Sequence, residues 1–282
     1  MSFNLFFNKD GQTSAVGKVD DYCLTIHSDK EPEVEILKDN LDSLYAFEEV
    51  INNIYLGYRQ CYSKEPKVVK PLTDETKNRL ITKFDEYFKV LMDDDSLEEF
   101  KDKFVTEKGL DRFYDFLYKC SFIKAHLNHE SPFEHGIITY RITHASRACL
   151  NQLVRCRVAS YSQMSQRYCA EDPRFIDVVL PKAISENKEV LQDVTQYLCQ
   201  LPELIEKMKK AGIKNEDIRA VFPNAMCSDI VVTMNLREIK HFLELRTSSH
   251  AQTEIRYIAN DLRTKLIKYM PFIWSDIGDK VV

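Results

Sequence analysis

A chain of 282 residues with 44% hydrophobic and 29% charged side chains is long enough to bury a sizeable core and has the balance of a soluble globular protein. Its net charge of −5 argues against nonspecific nucleic-acid binding, which leaves a basic balance or stripe, and no apolar run approaches the roughly 20 residues needed to span a bilayer. The eight cysteines (23, 61, 120, 149, 156, 169, 199, 227) contain no C-x-x-C pair, against both a disulfide framework and a zinc ribbon, and the N-terminus lacks the marks of a signal peptide, so a cytoplasmic protein is expected.

Residues 1 to 35 hold short apolar stretches, such as Tyr22 to His27, that read as strands or an irregular N-terminal cap. From Asp42 the spacing of Leu44, Phe47, Val50, Ile51 and Ile54 predicts a helix, with Gly57 placed to end it. A Lys/Pro connection runs through Pro71. Residues 73 to 118 read as mainly helical, with Leu80, Phe84, Phe88 and Leu91 on one stripe, an acidic break from Asp93 to Ser96, and then Leu97, Phe100 and Phe104. Packing accounts for this portion.

Four of the seven histidines fall between His126 and His144. The zincin metal helix needs two histidines four apart on one helical face, whereas His129 and His135 are six apart with Pro132 between them, so a short turn opened by Ser131-Pro132 is the preferred reading over metal. Gly136 to Thr143 is rich in β-branched residues and predicts a strand; Ala145 to Val154 predicts a helix. If that helix continues, Gln152 and Arg155 project together.

Between Gly136 and Pro181 the acidic chain reverses its balance. Six arginines (141, 147, 155, 157, 167, 174) face only Glu171, Asp172 and Asp177, with no lysine. The stretch from Gln152 to Tyr168 sets Arg155, Arg157 and Arg167 among Ser160, Ser162 and Ser165; guanidinium forks match phosphate or carboxylate, so the segment reads as a pocket for an anion. Snorkelling or surface pairing would explain one of these arginines, but the whole set poorly.

Ser185 to Ala211 predicts a long helical region interrupted at Pro202 and closed by Gly212, with Val190, Val194 and Leu198 as its stripe. Asn215 to Pro223 adds a short helix carrying Arg219. Arg237 and His241 share a helical face by their i, i+4 spacing, and Ser249 to Gln252 has the form of a capping box opening a last helix with Ala251, Ile255, Ile258, Leu262 and Leu266 inward. No G-x-G-x-x-G and no P-loop is present.

Three ordered segments carry a resemblance. Arg155-Cys156-Arg157, seven residues, then Ser165 is similar to the Arg-His-Arg-x7-Ser signature of flavin-dependent thymidylate synthases. His129 to His135 resembles that family's His-Glu-Thr-Pro-Phe-Glu-His, and Asn235-Leu236-Arg237 with Leu245-Arg246 and Ser249 to Gln252 resembles its Asn-x-Arg, Leu-Arg and Ser-His-Ala-Gln elements.

The resemblance implies an α+β fold with a β-sheet core and long flanking helices. It implies one domain over residues 1–282, with an N-terminal extension (about 1–40) and a helical insertion (about 64–125). The implied reaction is reductive methylation of dUMP to dTMP, with methylenetetrahydrofolate as carbon donor, FAD as hydride carrier and NADPH as reductant, in a homotetramer whose active sites are shared between subunits. By position, Gln152, Arg155, Gln163, Ser165, Gln166, Arg167, Arg219 and Arg246 would contact dUMP. Ser131, Arg155, Cys156, Arg157, Gln163, Asn235, Arg237 and His241 would contact FAD. Arg246 would be the catalytic group, stabilising charge on the pyrimidine, with no cysteine nucleophile. The chain departs from the family pattern at Cys156 (histidine expected), Gln163 (glutamate) and His241 (asparagine). Two alternatives follow: a homologue acting on another pyrimidine nucleotide, or a nucleotide-binding protein that has lost turnover.

Overall fold

The computed structural model describes residues 15–19, 22–28, 32–37, 44–62, 71–88, 94–168 and 175–274. The first ten residues, Leu91, Asp93, Cys169, Glu171, Asp172 and Arg174 lie outside the described residues, as do the side chains of Leu44, Phe47, Phe88 and Leu97.

Strands β1 (Ala15–Val19), β2 (Tyr22–Ser28) and β3 (Glu33–Ile36) precede helices α1 (Leu44–Tyr62), α2 (Asp74–Phe88), α3 (Asp94–Lys108) and α4 (Leu110–Ala125). A 3-10 turn over Ser131–His135 leads into β4 (Ile137–Ser146), α5 (Arg147–Leu153) and β5 (Ala159–Gln163). Next come β6 (Phe175–Leu180), α6 (Lys182–Ser185), α7 (Lys188–Leu198), α8 (Leu201–Lys210) and α9 (Asn215–Ile218), the last continued by a 3-10 turn over Arg219–Val221. Strand β7 (Cys227–Asn235) and helices α10 (Leu236–Arg246), α11 (Thr253–Tyr269) and α12 (Pro271–Trp274) follow.

The sheet that carries the site is antiparallel, in the order β3-β4-β7-β5. Its two central strands alternate as a half-buried sheet requires: Ile138, Tyr140 and Ile142 on β4 and Ile230, Val232 and Met234 on β7 point inward. That face joins Ile51 and Ile54 of α1, Phe116 of α4, Phe242 of α10 and Ile258 and Leu262 of α11 in one core. Each such side chain contributes roughly 1.5–3 kcal/mol by leaving water. A second sheet, β1-β2-β6, adjoins a smaller core of Val178, Leu180, Leu191, Leu198, Leu201, Ile205, Ile218 and Met226. The architecture is α+β, and among the described residues no helix is long and apolar enough to cross a membrane.

Helices α3 and α4 are tied to α1 by charge as well as by packing. Glu48, 4% exposed, lies 2.6 Å from Arg112 Nε and 3.5 Å from Lys108 Nζ. A carboxylate buried this way requires its partners, because an uncompensated charge in the interior costs about 3–5 kcal/mol.

Several boundaries correct the reading from sequence. Gly57 does not end α1, which continues to Tyr62; a Cβ there would come within 2.7 Å of the His135 ring and 3.2 Å of Pro132, so glycine serves close helix–turn packing instead. The 185–211 region is two main helices with the break at Cys199-Gln200, since Pro202 sits in the first turn of α8 where its missing N–H costs nothing. Of the expected stripe, Leu198 is buried and Val194 packs against the smaller core, but Val190 is 41% exposed and Leu191 and Thr195 are buried in addition. Gly212 closes α8 with φ +77°, as expected.

Candidate active site

The local geometry begins where β4 turns into α5. The β4–β7 register shifts between Ile142 and Ala145, and His144 takes φ 55°, a bulge after which Ala145 and Ser146 pair with β7 again in the shifted register. Ser146 then caps α5, its Oγ accepting from the Cys149 N–H at 3.0 Å. The same hydroxyl donates to Glu254 Oε2 at 2.6 Å, and the Ser146 N–H donates to Glu254 Oε1 at 2.6 Å. Glu254 is 3% exposed, so the start of α11 holds the start of α5 through charge-assisted bonds in a dry place. At the other end of α5, Gln152 Nε2 donates to Gln252 Oε1. The capping box expected at Ser249 to Gln252 is therefore corrected: Gln252 precedes α11 without a side-chain cap bond, its amide carbonyl being turned across to α5.

Helix α5 stops at Leu153, so Arg155 lies beyond it and the shared face expected for Gln152 and Arg155 does not form. Arg155 and Arg157 are exposed. Between them Cys156 turns inward, 6% exposed, and the Tyr161 hydroxyl pins the loop by donating to the carbonyls of Cys156 (2.6 Å) and Leu153 (3.1 Å). Burial pushes the Cys156 thiol up to about 11; Glu238 adds to the rise and Arg246 opposes it. A thiol held there is not a nucleophile near neutral pH. Arg246, the last residue of α10, also acts on Cys149, whose thiol burial raises strongly. The Arg246 Nε is buried without a hydrogen-bond partner among the described residues.

A cavity of about 480 Å³ opens beside α5. Arg147 and Asn151, one turn apart on α5, line it together with Gln166, Glu216, Arg219 and the segment Phe222 to Asn224. Arg147 Nη2 donates to the Met164 carbonyl at 3.0 Å, joining the helix to the end of β5. Gln166 is 8% exposed, yet its Nε2 has no hydrogen-bond partner among the described residues. Arg219 Nε donates to the Glu216 carbonyl at 3.1 Å, and the Glu216 carboxylate lies 2.7 Å from Arg167 Nε. Arg167 also lies over the Tyr168 ring at 5.1 Å and takes its N–H to Ser165 Oγ at 3.3 Å. Gln163 Nε2 donates to Ser228 Oγ at 3.3 Å. Motifs some fifty residues apart in sequence thus meet here, because β5 and the segment before β7 flank α5.

A second cavity, about 350 Å³, gathers Asn235, Arg237 and His241 with Val158, Lys240 and the carboxylates of Glu130, Glu134, Glu238 and Glu244. Asn235 Oδ1 accepts from the Glu238 N–H at 2.8 Å and so caps α10. Arg237 pairs with Glu134 and, at 3.8 Å, with Glu130; Lys240 pairs with Glu130. The Lys240 bond, with the charges of Lys240, Arg237 and His241, holds the Glu130 carboxyl below its ordinary range. Ser131 opens the adjoining 3-10 turn. Among the described residues no group of three or more His, Cys, Asp or Glu could hold a metal ion.

Of the residues singled out from sequence, Gln166 and Arg219 line the first cavity and Asn235, Arg237 and His241 the second. Gln152, Arg155, Arg157, Gln163, Ser165, Arg167, Arg246, Ser131 and Cys156 line neither. Sequence reasoning missed Arg147, Asn151 and Lys240 as lining residues. The i, i+4 spacing of Arg147 and Asn151 on a predicted helix was the available signal.

The sequence model of the family described as thymidylate synthase complementing protein matches residues 43–272. The chain belongs to this family, that of the flavin-dependent thymidylate synthases. A relative of that name from Thermococcus onnurineus is 41% identical over 160 residues, 55% of this chain and 65% of the relative. One from Pyrococcus abyssi is 38% identical over 172 residues, 57% of this chain and 70% of the relative. The match to the Thermococcus protein therefore spans just under two thirds of that protein's length. Among solved structures, a UMP/dUMP methylase, PolB from Streptomyces cacaoi bound with 5-Br dUMP, aligns with TM-score 0.51 at 26% identity, over 61% of this chain and 84% of that one. The same methylase bound with 5-Br UMP aligns with TM-score 0.50 at 25% identity, over 56% and 80%.

Proposed function

We propose that the chain methylates dUMP to dTMP reductively, with methylenetetrahydrofolate as carbon donor, FAD as hydride carrier and NADPH as reductant. Family membership and the names of the relatives support the reaction class. The observation that carries the reading is the first cavity, which Gln166 and Arg219 line from separated segments, the Gln166 amide nitrogen being buried with no hydrogen-bond partner among the described residues. In this reading Gln152, Arg155, Gln163, Ser165, Gln166, Arg167, Arg219 and Arg246 hold the nucleotide. Serine and arginine donors match a phosphate.

The second cavity fits an anionic dinucleotide in its donor types: a guanidinium from Arg237, an ammonium from Lys240, an imidazole from His241 and the amide of Asn235. FAD, when bound, would supply hydride transfer to the one-carbon unit. Ser131, Asn235, Arg237 and His241 would hold it, with Arg155, Arg157 and Gln163 completing the set. Cys156 would support that loop from beneath, since its side chain faces the core. Four glutamates line this cavity, and Arg237 and Lys240 are paired within the chain. Additional positive charge from a neighbouring copy would balance phosphates there, in keeping with a homotetramer whose active sites lie at subunit interfaces.

Arg246 is the catalytic residue of the proposal. A fixed guanidinium beside the pyrimidine stabilises the negative charge that develops as N3 ionises, a contribution strongest where water is excluded. Cys156, with its thiol at about 11, does not attack the ring. The protein works in the cytoplasm as a single domain, with residues 1–40 and 64–125 as additions to it, and binds neither nucleic acid nor membrane.

A second reading takes UMP as the nucleotide, favoured by the solved methylase described with both UMP and dUMP analogues. Absorption spectra of the purified protein with added FAD, before and after dUMP or UMP, test both. A flavin band that responds to dUMP is expected. A response to UMP alone selects the second reading, and a protein that takes up no FAD contradicts both.

A further inference from the structure

The connection from α5 to β5 carries Arg155 and Arg157 on backbone that belongs to neither element. A helix end leaves its last carbonyls without donors from the next turn, and here the Leu153 carbonyl takes the Cys156 N–H at 3.1 Å. A further donor comes from β5. The Tyr161 hydroxyl lies 2.6 Å from the Cys156 carbonyl and 3.1 Å from that of Leu153, so it gathers two backbone acceptors from either side of Arg155. We propose that Tyr161 is a positioning residue: its hydroxyl fixes the backbone from which Arg155 and Arg157 reach their anionic ligands. The inference rests on the reading above, in which both arginines hold FAD and Arg155 also the nucleotide, and adds a residue that belongs to neither ligand set.

The brace is built on a firm base. Tyr161 pairs with Val232 in the four-stranded sheet, and its ring packs against the main core, so the hydroxyl is carried on a rigid element. Its neighbours Ser160 and Ser162 are exposed, which leaves Tyr161 as the residue of this strand turned inward beneath the loop. The pinned residue is also the one the loop buries: Cys156 is 6% exposed, whereas Arg155 and Arg157 on either side of it are exposed. A pin at Cys156 therefore holds the backbone midway between the two guanidinium stems. Ordering a long side chain on binding costs affinity, and a fixed stem reduces that cost. Tyr161 lines neither cavity, so any effect it has on a ligand passes through the loop.

The test titrates FAD into the full chain and follows flavin fluorescence. Tyr161→Phe, which removes only the hydroxyl, is expected to weaken FAD about 10-fold, the order of one lost hydrogen bond expressed as mispositioning. In an Arg155→Ala/Arg157→Ala background the same substitution should change FAD affinity less than about twofold, because the groups through which it acts are gone. Equal weakening in both backgrounds would make the hydroxyl a general structural support and overturn the proposal; so would an unchanged affinity in the first. Where the arginine variant binds FAD too weakly to compare, amide hydrogen exchange decides. Tyr161→Phe should speed exchange at residues 155–158 about 10-fold, leave β7 unchanged, and lose the slowing that FAD gives this loop in the unaltered chain. A loop that FAD protects equally in both proteins would overturn the proposal. An unaltered chain that takes up no FAD would instead sink the flavin reading, and the Tyr161 role with it.

Discussion

Glu254→Ala is the perturbation whose cost follows most directly from the geometry. The carboxylate takes two hydrogen bonds of 2.6 Å, from the N–H and the hydroxyl of Ser146, and both residues are buried. Hydrogen bonds to a charged group contribute about 1.5–3 kcal/mol each, and removing the acceptor leaves two donors in the interior, so a loss of roughly 3–5 kcal/mol is expected. Against a total stability of about 5–15 kcal/mol this is a large fraction, and at ~2–4 °C per kcal/mol the melting temperature should fall by roughly 10 °C. Because the bonds fix the start of α5, dUMP affinity measured well below the new midpoint should fall too. Ser146→Ala removes one of the two bonds and the cap on Cys149, and the double variant should cost at least ~1 kcal/mol less than the sum of the singles. Circular dichroism melts of the four proteins make the cycle. A Glu254→Ala variant melting within a degree or two of the unaltered chain would refute the claim that this tie holds α5.

The pH dependence of Glu130 has a definite sign: a carboxyl held below its ordinary range by Lys240 contributes stability above that range and loses it as pH falls through the lowered value. A carboxyl NMR titration should find it still ionised where free glutamates are half protonated, and Lys240→Gln should move it back toward the ordinary range, the charges of Arg237 and His241 remaining; ordinary titration in the unaltered protein would contradict the pairing. Iodoacetamide at neutral pH should modify the exposed Cys61 and spare Cys156 in the folded protein, as read by mass spectrometry, and Cys156→Ala should retain turnover; its abolition would restore a chemical role for the thiol. Gly136→Ala should destabilise by about 1–3 kcal/mol, because its Cβ would meet the buried Leu236 Cδ1 at 2.8 Å, and a neutral denaturant midpoint would show that this contact gives way.

The elements that local chemistry dictates were legible in the sequence. β-Branched residues marked β4, the Ser131-Pro132 turn announced itself by its proline, and the inward stripe of the last helix holds at Ile255, Ile258, Leu262 and Leu266, while Ala251 precedes α11. What failed depends on partners distant along the chain. Gly57 looks like a helix terminator until His135 packs against it, and Gln252 looks like part of a capping box until Gln152 claims its carbonyl. The same limit applied to the site. Clustered arginines pointed to an anion, but only the β4 bulge and the short α5 show that Arg147 and Asn151 face the cavity while Arg155 lies beyond the helix. The inward turn of Cys156 was equally hidden, because its neighbours on both sides are exposed arginines.

The central claim is chemical, and one measurement addresses it. Purified chain supplied with FAD, NADPH, methylenetetrahydrofolate and dUMP carrying tritium at C5 should release the tritium to water as dTMP forms. Both should depend on FAD and be lost in Arg246→Ala. Retention of the label with no dTMP, in a protein that has taken up flavin and nucleotide, would contradict the account.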